Sequence, residues 1–311
     1  MSQIVRTVLP TLAVLWITGA TVPANATYPG ANGEIAYARY GGPSIPSTLR
    51  TIKADGAAGR VLARPGIGSP DAEWSPDGTQ VAMVLGREPS RIVMLDLQTD
   101  ERTLVIRSDD VPDTRLIDSI GISPTGDQLV FCAVPQGAGA SLFTVGVDGM
   151  GLTEISGDRQ ECFPDWGPSD RIAAERFGKG SKLVTMDPDG GNRVVVVRSR
   201  DANRGSLSYP SWSPDGMRLV FSSTSEFDVR PELWIVDADG SDLTQLTNTD
   251  LRTEWAPVFS PDGARIAFLR AKAGEGYPVS DIFTMAVDGS DRQQVTHTPN
   301  RREFPRSWQA I

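Results

Sequence analysis

From residue 33 onward, short apolar runs alternate with clusters of Gly, Pro, Asp and Ser, and the alternation recurs at a steady interval. The best-preserved unit reads Tyr209-Pro210-Ser211-Trp212-Ser213-Pro214-Asp215-Gly216 and continues Met217-Arg218-Leu219-Val220-Phe221. Four further segments match it in register: Glu73-Trp74-Ser75-Pro76-Asp77-Gly78, Gly121-Ile122-Ser123-Pro124-Thr125-Gly126, Asp165-Trp166-Gly167-Pro168-Ser169-Asp170 and Val258-Phe259-Ser260-Pro261-Asp262-Gly263. The aromatic or apolar residue ahead of each turn stands at 74, 122, 166, 212 and 259, in steps of 48, 44, 46 and 47 residues. Self-similarity at such a period marks a repeat architecture.

Each piece of the repeat predicts an element. Ser-Pro-Asp-Gly suits a type I turn, with Pro fixing φ at its second position and Gly at its fourth. The run that follows, such as Arg265-Ile266-Ala267-Phe268-Leu269, is apolar on both faces, as a strand sandwiched between sheets must be. A third strand, for example Glu232-Leu233-Trp234-Ile235-Val236, ends in the hairpin signal Asp239-Gly240. The same turn recurs as Asp55-Gly56, Asp148-Gly149, Asp189-Gly190 and Asp288-Gly289, each ahead of a short fourth strand like Leu243-Thr244-Gln245-Leu246-Thr247. Four short strands per repeat make a β-propeller blade.

The ends complete the count. Gly33-Glu34-Ile35-Ala36-Tyr37-Ala38 reads as a second strand without its first, and Phe304-Pro305-Arg306-Ser307-Trp308 reads as a first strand that stops before its turn. Trp308 lies 49 residues after Phe259. The expectation is an all-β, six-bladed propeller of four-stranded blades over residues 33–311, closed where the C-terminal strand completes the first blade. Closure removes the exposed sheet edges on which strands aggregate.

Ahead of the repeat, Met-Ser-Gln-Ile-Val-Arg, an apolar run from Val8 to Ala20 and Ala24-Asn25-Ala26 form the charged, apolar and cleavage regions of a signal peptide over residues 1–26. Residues 27–32 form a short N-terminal segment, and Thr27 rather than a Cys follows the cleavage site, so no lipid anchor is expected. The apolar run is 13 residues, short of the roughly 20 that a membrane-spanning helix requires. The expected location is outside the cytoplasm, periplasmic or secreted, with no membrane span, and the expected state is monomeric.

Charge narrows the partners. The chain carries 30 basic and 39 acidic residues; removing Arg6 with the leader leaves 29 against 39, a net charge of −10. Nucleic acid is disfavoured, because phosphate binding requires a basic footprint, and an acidic surface favours a basic or neutral partner. The 31 Gly and 23 Pro agree with many turns. The two cysteines, Cys132 and Cys162, lack the spacing of a metal site. They fall in strands of adjacent blades, where export permits a disulfide and two separate buried thiols are the alternative.

Ser-Pro-Asp-Gly after an aromatic, with Asp-Gly ahead of a Leu-Thr-like fourth strand, resembles the TolB-like propeller family, over essentially all of residues 33–311. The resemblance implies a binding scaffold of the cell envelope. The family's namesake carries an N-terminal α/β domain, and this sequence offers only about six residues between the expected cleavage site and the first strand. Similar propellers precede the hydrolase domain of prolyl-oligopeptidase-like peptidases, which the sequence does not show.

Candidate chemistry is sparse. The sole histidine, His297, has no evident nucleophile or orienting acid, and no G-x-S-x-G elbow occurs. Asp237-Ala238-Asp239-Gly240-Ser241-Asp242 superficially resembles a calcium loop, but lacks the glutamate at position 12 and the flanking helices. No catalytic residue, cofactor or metal is expected. A sharper pattern precedes the innermost strands. Arg159-x-Glu161, Arg252-x-Glu254 and Arg301-x-Glu303 recur at one position of the repeat, whereas other blades carry Ser69, Ile117 and Leu207 at the position of the Glu. Phe163, Tyr209, Trp255 and Phe304 stand nearby. The repeat places these residues around one mouth of the central channel, where Arg and aromatics suit a recognition rim; the alternative is that Arg and Glu brace the connector while the aromatics pack between blades. The expected function is therefore an exported, non-enzymatic protein that binds a protein, peptide or envelope component. The alternatives are a channel-centred lyase or lactonase, and a sensor of a small sugar or peptide.

Overall fold

The computed structural model describes residues 29–311 apart from 41–45, 67–69, 138, 203, 226–229, 251 and 273–278. The expected leader, Thr27 and Ser69 lie outside the described residues. Antiparallel strands dominate, and a short 3-10 turn at Ser108–Asp110 is the helical element among the described residues.

Residues 71–107, 114–154, 161–198 and 204–245 each fold into a four-stranded sheet whose strands follow one another in space as in sequence. Residues 252–294 form a similar set, and Arg302–Ala310 pairs antiparallel with Asn32–Tyr40 ahead of the strands to residue 66, so that Trp308 lies opposite Ile35. A parallel contact between Ser280 and Arg302 joins these last two sets into one eight-stranded sheet.

The expected turns are built from their own side chains. In Ser213-Pro214-Asp215-Gly216 the Gly216 N–H donates to the Ser213 carbonyl at 2.8 Å, the Ser213 hydroxyl donates to Asp215 at 2.6 Å, and the Arg218 N–H donates to the Ser213 hydroxyl at 2.9 Å. Gly216 takes φ 69°, a left-handed conformation that glycine adopts without steric cost. The one repeat that lacks both Ser and Gly has reasons for each change. A Cβ at Gly167 would lie 2.5 Å from the Trp212 ring of the neighbouring sheet, so a side chain is excluded there. Asp170 takes the left-handed position at φ 56° and accepts a 2.9 Å hydrogen bond from Trp166 Nε1, a conformation that Asp tolerates better than most residues.

The core lies between sheets. Val220 and Leu233 of one sheet pack with Phe259, Ile266 and Phe268 of the next, all nearly inaccessible. Burying each such side chain contributes about 1.5–3 kcal/mol. The first strands, Asp71–Trp74, Thr114–Ile122, Glu161–Trp166, Arg204–Trp212, Arg252–Phe259 and Arg302–Ala310, contact one another in sequence, and the last contacts the first. They therefore surround a central axis. Because strands alternate in direction, the Ser-Pro-Asp-Gly and Asp-Gly turns share one end of that axis, and the connectors that lead into the first strands share the other. We call these the turn end and the mouth.

Candidate functional site

Five of the first strands slip in register against their neighbour, and three of them do so around a left-handed residue followed by proline. In these three the register slips between Cys162 and Asp165, Ser208 and Ser211, and Trp255 and Val258. Within the slips Phe163, Tyr209 and Ala256 take φ of 54°, 54° and 50°, and each is followed by a proline, Pro164, Pro210 or Pro257. Proline has no N–H to donate to a ladder, so the bulge falls where a pairing bond is already missing. A left-handed non-glycine residue costs on the order of 1–3 kcal/mol and points to a functional constraint when it recurs.

The bulges and their equivalents surround a cavity of about 60 Å³ on the axis. Its walls are the positions one to three residues ahead of Trp74, Ile122, Trp166, Trp212, Phe259 and Trp308, drawn from all of the first strands. On one side it is charged. Asp71 Oδ1 lies 3.4 Å from Arg306 Nη1, and Asp71 accepts the Ile120 and Ala72 N–H groups at 3.0 Å each. Burial pushes the carboxyls of Asp71, Glu73, Asp118 and Asp165 upward. For Glu73 the nearby Asp165 and Asp71 add to the shift and carry it well above the usual range. Asp165 rises to about 7, although the Trp212 N–H donates to it at 2.6 Å. Arg306 opposes the shift at Asp71 and Asp118. Burial disfavours the Arg306 cation, but Tyr40, Asp71, Tyr209 and Asp118 around it outweigh that, so it stays charged.

On the other side the mouth is aromatic. Ring centroids run from Phe177 to Phe163 at 6.3 Å, to Tyr209 at 4.4 Å, to Trp255 at 5.4 Å, to Phe304 at 5.7 Å and to Tyr40 at 5.7 Å. Phe163, Tyr209 and Trp255 keep partial exposure, while Phe304 is buried beneath the Arg302 and Arg306 guanidiniums at 5.5 and 5.3 Å. Such an arc offers apolar area with fixed geometry, the usual anchor of a recognition surface.

The sequence places Glu161, Glu254 and Glu303 on the rim, and the structure buries all three at zero exposure. Their partners come from the second strand of the same sheet. Arg176 reaches Glu161 at 2.7 Å, Arg270 reaches Glu254 at 3.1 Å and Arg39 reaches Glu303 at 2.6 Å. Each pair also stands opposite in the strand register. Arg193 adds a second contact to Glu161 at 3.4 Å and donates to the Ile155 carbonyl of the preceding sheet. These carboxylates are braces inside and between sheets, because a buried charge must be paired. The arginines of the motif lie farther out: Arg159 and Arg252 are exposed and Arg301 partly so, with Arg159 3.8 Å from Asp158. Of the expected rim, Arg159 and Arg252 are exposed, Arg301, Tyr209 and Trp255 partly so, and Phe304 is buried.

Cys132 and Cys162 are joined as a disulfide, with Cα atoms 5.1 Å apart, across adjacent sheets. Cys162 immediately precedes the left-handed Phe163. His297 is exposed at the mouth-end connector. Among the described residues no group of three His, Cys, Asp or Glu is arranged to hold a metal ion. Among them, too, no helix is long and apolar enough to cross a membrane. Sequence reasoning did not single out Asp71, Glu73, Asp118, Asp165 and Arg306. The signal was present: directly ahead of the key residue, two repeats carry Glu73 and Asp165 where the others carry Gly121, Ser211, Val258 and Ser307.

The comparisons with known proteins agree with this architecture. A family model described as the TolB beta propeller domain matches residues 162–309. The Tol-Pal system protein TolB of Anaeromyxobacter dehalogenans strain 2CP-C is 38% identical over 130 residues, which is 42% of this chain and 27% of that protein. The chain thus aligns with little more than a quarter of the relative's length. Among solved structures, TolB from Acinetobacter baumannii matches with a TM-score of 0.70 at 20% identity, covering 90% of this chain and 67% of the other. A putative TolB from Agrobacterium tumefaciens matches with a TM-score of 0.66 at 17% identity, covering 90% of this chain and all of the other. At these identities the structural matches speak to the fold.

Proposed function

The chain is a TolB-like β-propeller, and from that premise we propose that it is an exported, non-enzymatic protein of the cell envelope that holds a protein or peptide partner at the mouth of its central channel. The strand sets are read as six blades over residues 33–311, with the C-terminal strand completing the first. Residues 1–26 are read as a cleaved leader. The observation that carries the binding role is the aromatic arc from Phe177 to Tyr40, partly exposed at one end of the axis and mounted on strained bulges. A rigid scaffold that presents anchors on its loops and strand ends suits recognition. The relatives' membership of the Tol-Pal system makes an envelope partner the natural class.

The test has two parts. Intact mass of the exported protein should correspond to a chain that begins at Thr27; a retained Met1 contradicts the leader. A partner crosslinked in the producing cells should be captured by the wild-type protein and lost with Tyr209→Ala/Trp255→Ala, while the melting temperature of that variant stays within a few degrees of wild type. Capture that survives the double substitution in a folded protein rules out the mouth as the binding site.

A further inference from the structure

The cavity beneath the mouth has more carboxyl groups than its own cation serves. Arg306 is engaged through Nη1 with Asp71 at 3.4 Å, through Nη2 with the Tyr40 hydroxyl at 2.8 Å and through its face with the Phe304 ring at 5.3 Å, while its Nε has no hydrogen-bond partner. Its influence reaches Asp71 and Asp118. Glu73 and Asp165 lie beyond it. Each is partly buried and lines the cavity, Asp165 raises the carboxyl of Glu73, and the hydrogen bonds that stabilise either carboxylate come from backbone N–H groups, at Trp74 and Trp212. No lysine or arginine among the described residues forms an ion pair with either. Two carboxyls raised by desolvation, one of them raised further by the other, define a place where an incoming positive charge is favoured.

The remaining walls say what kind of cation fits. Ser119, Ser211 and Ser307 line the same cavity, and the Ser307 hydroxyl, which donates to the Ala72 carbonyl, still has a lone pair with which to accept. An ammonium has three N–H donors and no acceptor, so two carboxylates and one hydroxyl can satisfy it. The volume of about 60 Å³ holds a few water molecules, so it admits an ammonium with its nearest methylene groups and excludes an aromatic ring. A ring next to that ammonium in a bound chain would meet the partly exposed Phe163, Tyr209 and Trp255 instead. The proximity of the arc to the acidic side favours a ligand with apolar and cationic groups close together.

We infer that the waist of the channel takes one primary ammonium group of a bound peptide between Glu73 and Asp165, with a neighbouring apolar side chain of the same peptide seated on the partly exposed Phe163–Tyr209–Trp255 arc. The inference rests on the mouth being a peptide-binding site. The ammonium comes from a lysine side chain or from a chain N-terminus, and the two sources are separable.

Three small peptides serve as probes: N-acetyl-Phe-Lys-amide, N-acetyl-Phe-norleucine-amide, and Phe-norleucine-amide with its N-terminus free. Calorimetry or ligand-observed NMR with the full mature protein at about pH 7.5, where Asp165 is mostly ionised and a free α-amine is still mostly protonated, should show at least one ammonium-bearing peptide binding about tenfold more tightly than the neutral one. Preference for the lysine peptide assigns the side chain; preference for the free amine assigns the terminus. Glu73→Gln/Asp165→Asn should erase the advantage and leave the affinity for the neutral peptide unchanged. Trp255→Ala should weaken every peptide that binds. The advantage should also shrink as the pH falls below about 6, because protonated Asp165 no longer attracts the cation. If all three peptides bind equally to the wild type and all weaken with Trp255→Ala, the ammonium site is wrong and the mouth stands. If none binds, or if Trp255→Ala changes nothing, the inference and the mouth reading both fail.

Discussion

Asp165 and Glu73 sit where ionisation is unfavourable, and this ties stability to pH. The carboxyl of Asp165 is raised to about 7 by burial, against about 3.9 in an unfolded chain. Between those values the folded protein holds a proton that the unfolded chain has released, so stability falls as pH rises through the window and stays low above it. Glu73 shifts in the same direction. The turn carboxyls Asp239 and Asp288 are held below their usual range by hydrogen bonds from Ser241 and Ser290, so they titrate under this window. The melting temperature should therefore be higher at about pH 5.5 than at about pH 8, and Asp165→Asn should flatten the dependence and raise stability at the higher pH by on the order of 2–4 kcal/mol. The Asn oxygen can still accept the Trp212 N–H. A lower melting temperature for Asp165→Asn at the higher pH would contradict this account. The braces give the opposite sign. Arg270→Ala leaves Glu254 buried without its 3.1 Å partner and should cost about 3–5 kcal/mol in urea unfolding. Arg252→Ala, on an exposed side chain of the same motif, should cost about 1 kcal/mol or less. Equal effects would mean that Glu254 is not held by Arg270.

At the scale of the strand, turns and repeats were legible in the sequence because their chemistry is local. Ser-Pro-Asp-Gly carries its own hydrogen bonds, and its spacing reports the blade. The last strand was legible from the run Phe304–Trp308 and the missing first strand at the other end, with Trp308 standing where a key aromatic belongs and buried with Ile35 and Tyr37. Deleting residues 302–311 removes the partner strand of Asn32–Tyr40 and should leave a protein that aggregates or melts far below wild type; a monomer with wild-type melting would overturn the pairing. What the sequence hid are relations between strands. An Arg-x-Glu motif looks the same whether its Glu faces water or a neighbouring sheet. The distinguishing residues, Arg39, Arg176 and Arg270, lie at the far end of the next strand. The bulges were half visible, since Phe163-Pro164, Tyr209-Pro210 and Ala256-Pro257 repeat, but a proline does not reveal that the residue before it turns left-handed. That geometry makes a further prediction. Ala256→Gly should leave the melting temperature unchanged or raise it, because glycine relieves φ 50°. Ala267→Gly, in the regular strand beside it, should lower stability by about 0.5–1 kcal/mol or more. Equal losses at both positions would show that the bulge is unstrained.

For the molecule as a whole, net charge is a poor guide to the partner, because the acidity has a structural origin. Asp148, Asp189, Asp239 and Asp288 each accept the N–H two residues ahead, at 2.9, 2.7, 2.9 and 2.9 Å, and the repeat multiplies this turn around one end of the axis. The mouth lies at the opposite end, with Arg159, Arg252 and Arg301 around an apolar arc. A partner there experiences those groups at close range, and turn charges more than a Debye length of about 8 Å away are largely screened at physiological salt. Converting these four aspartates to asparagine takes the formal charge of the chain from −9 to −5. Asparagine keeps the accepting oxygen and the turn, so the melting temperature should change by no more than a few degrees. Partner capture at physiological salt should be retained, while the salt dependence of the association rate should change, since long-range charge acts on encounter more than on the docked complex. Tyr209→Ala/Trp255→Ala should do the reverse, abolishing capture while leaving the charge untouched. If the four asparagines abolish binding and the aromatic pair does not, the partner docks on the turns, and the strained bulges at the mouth must serve something other than recognition.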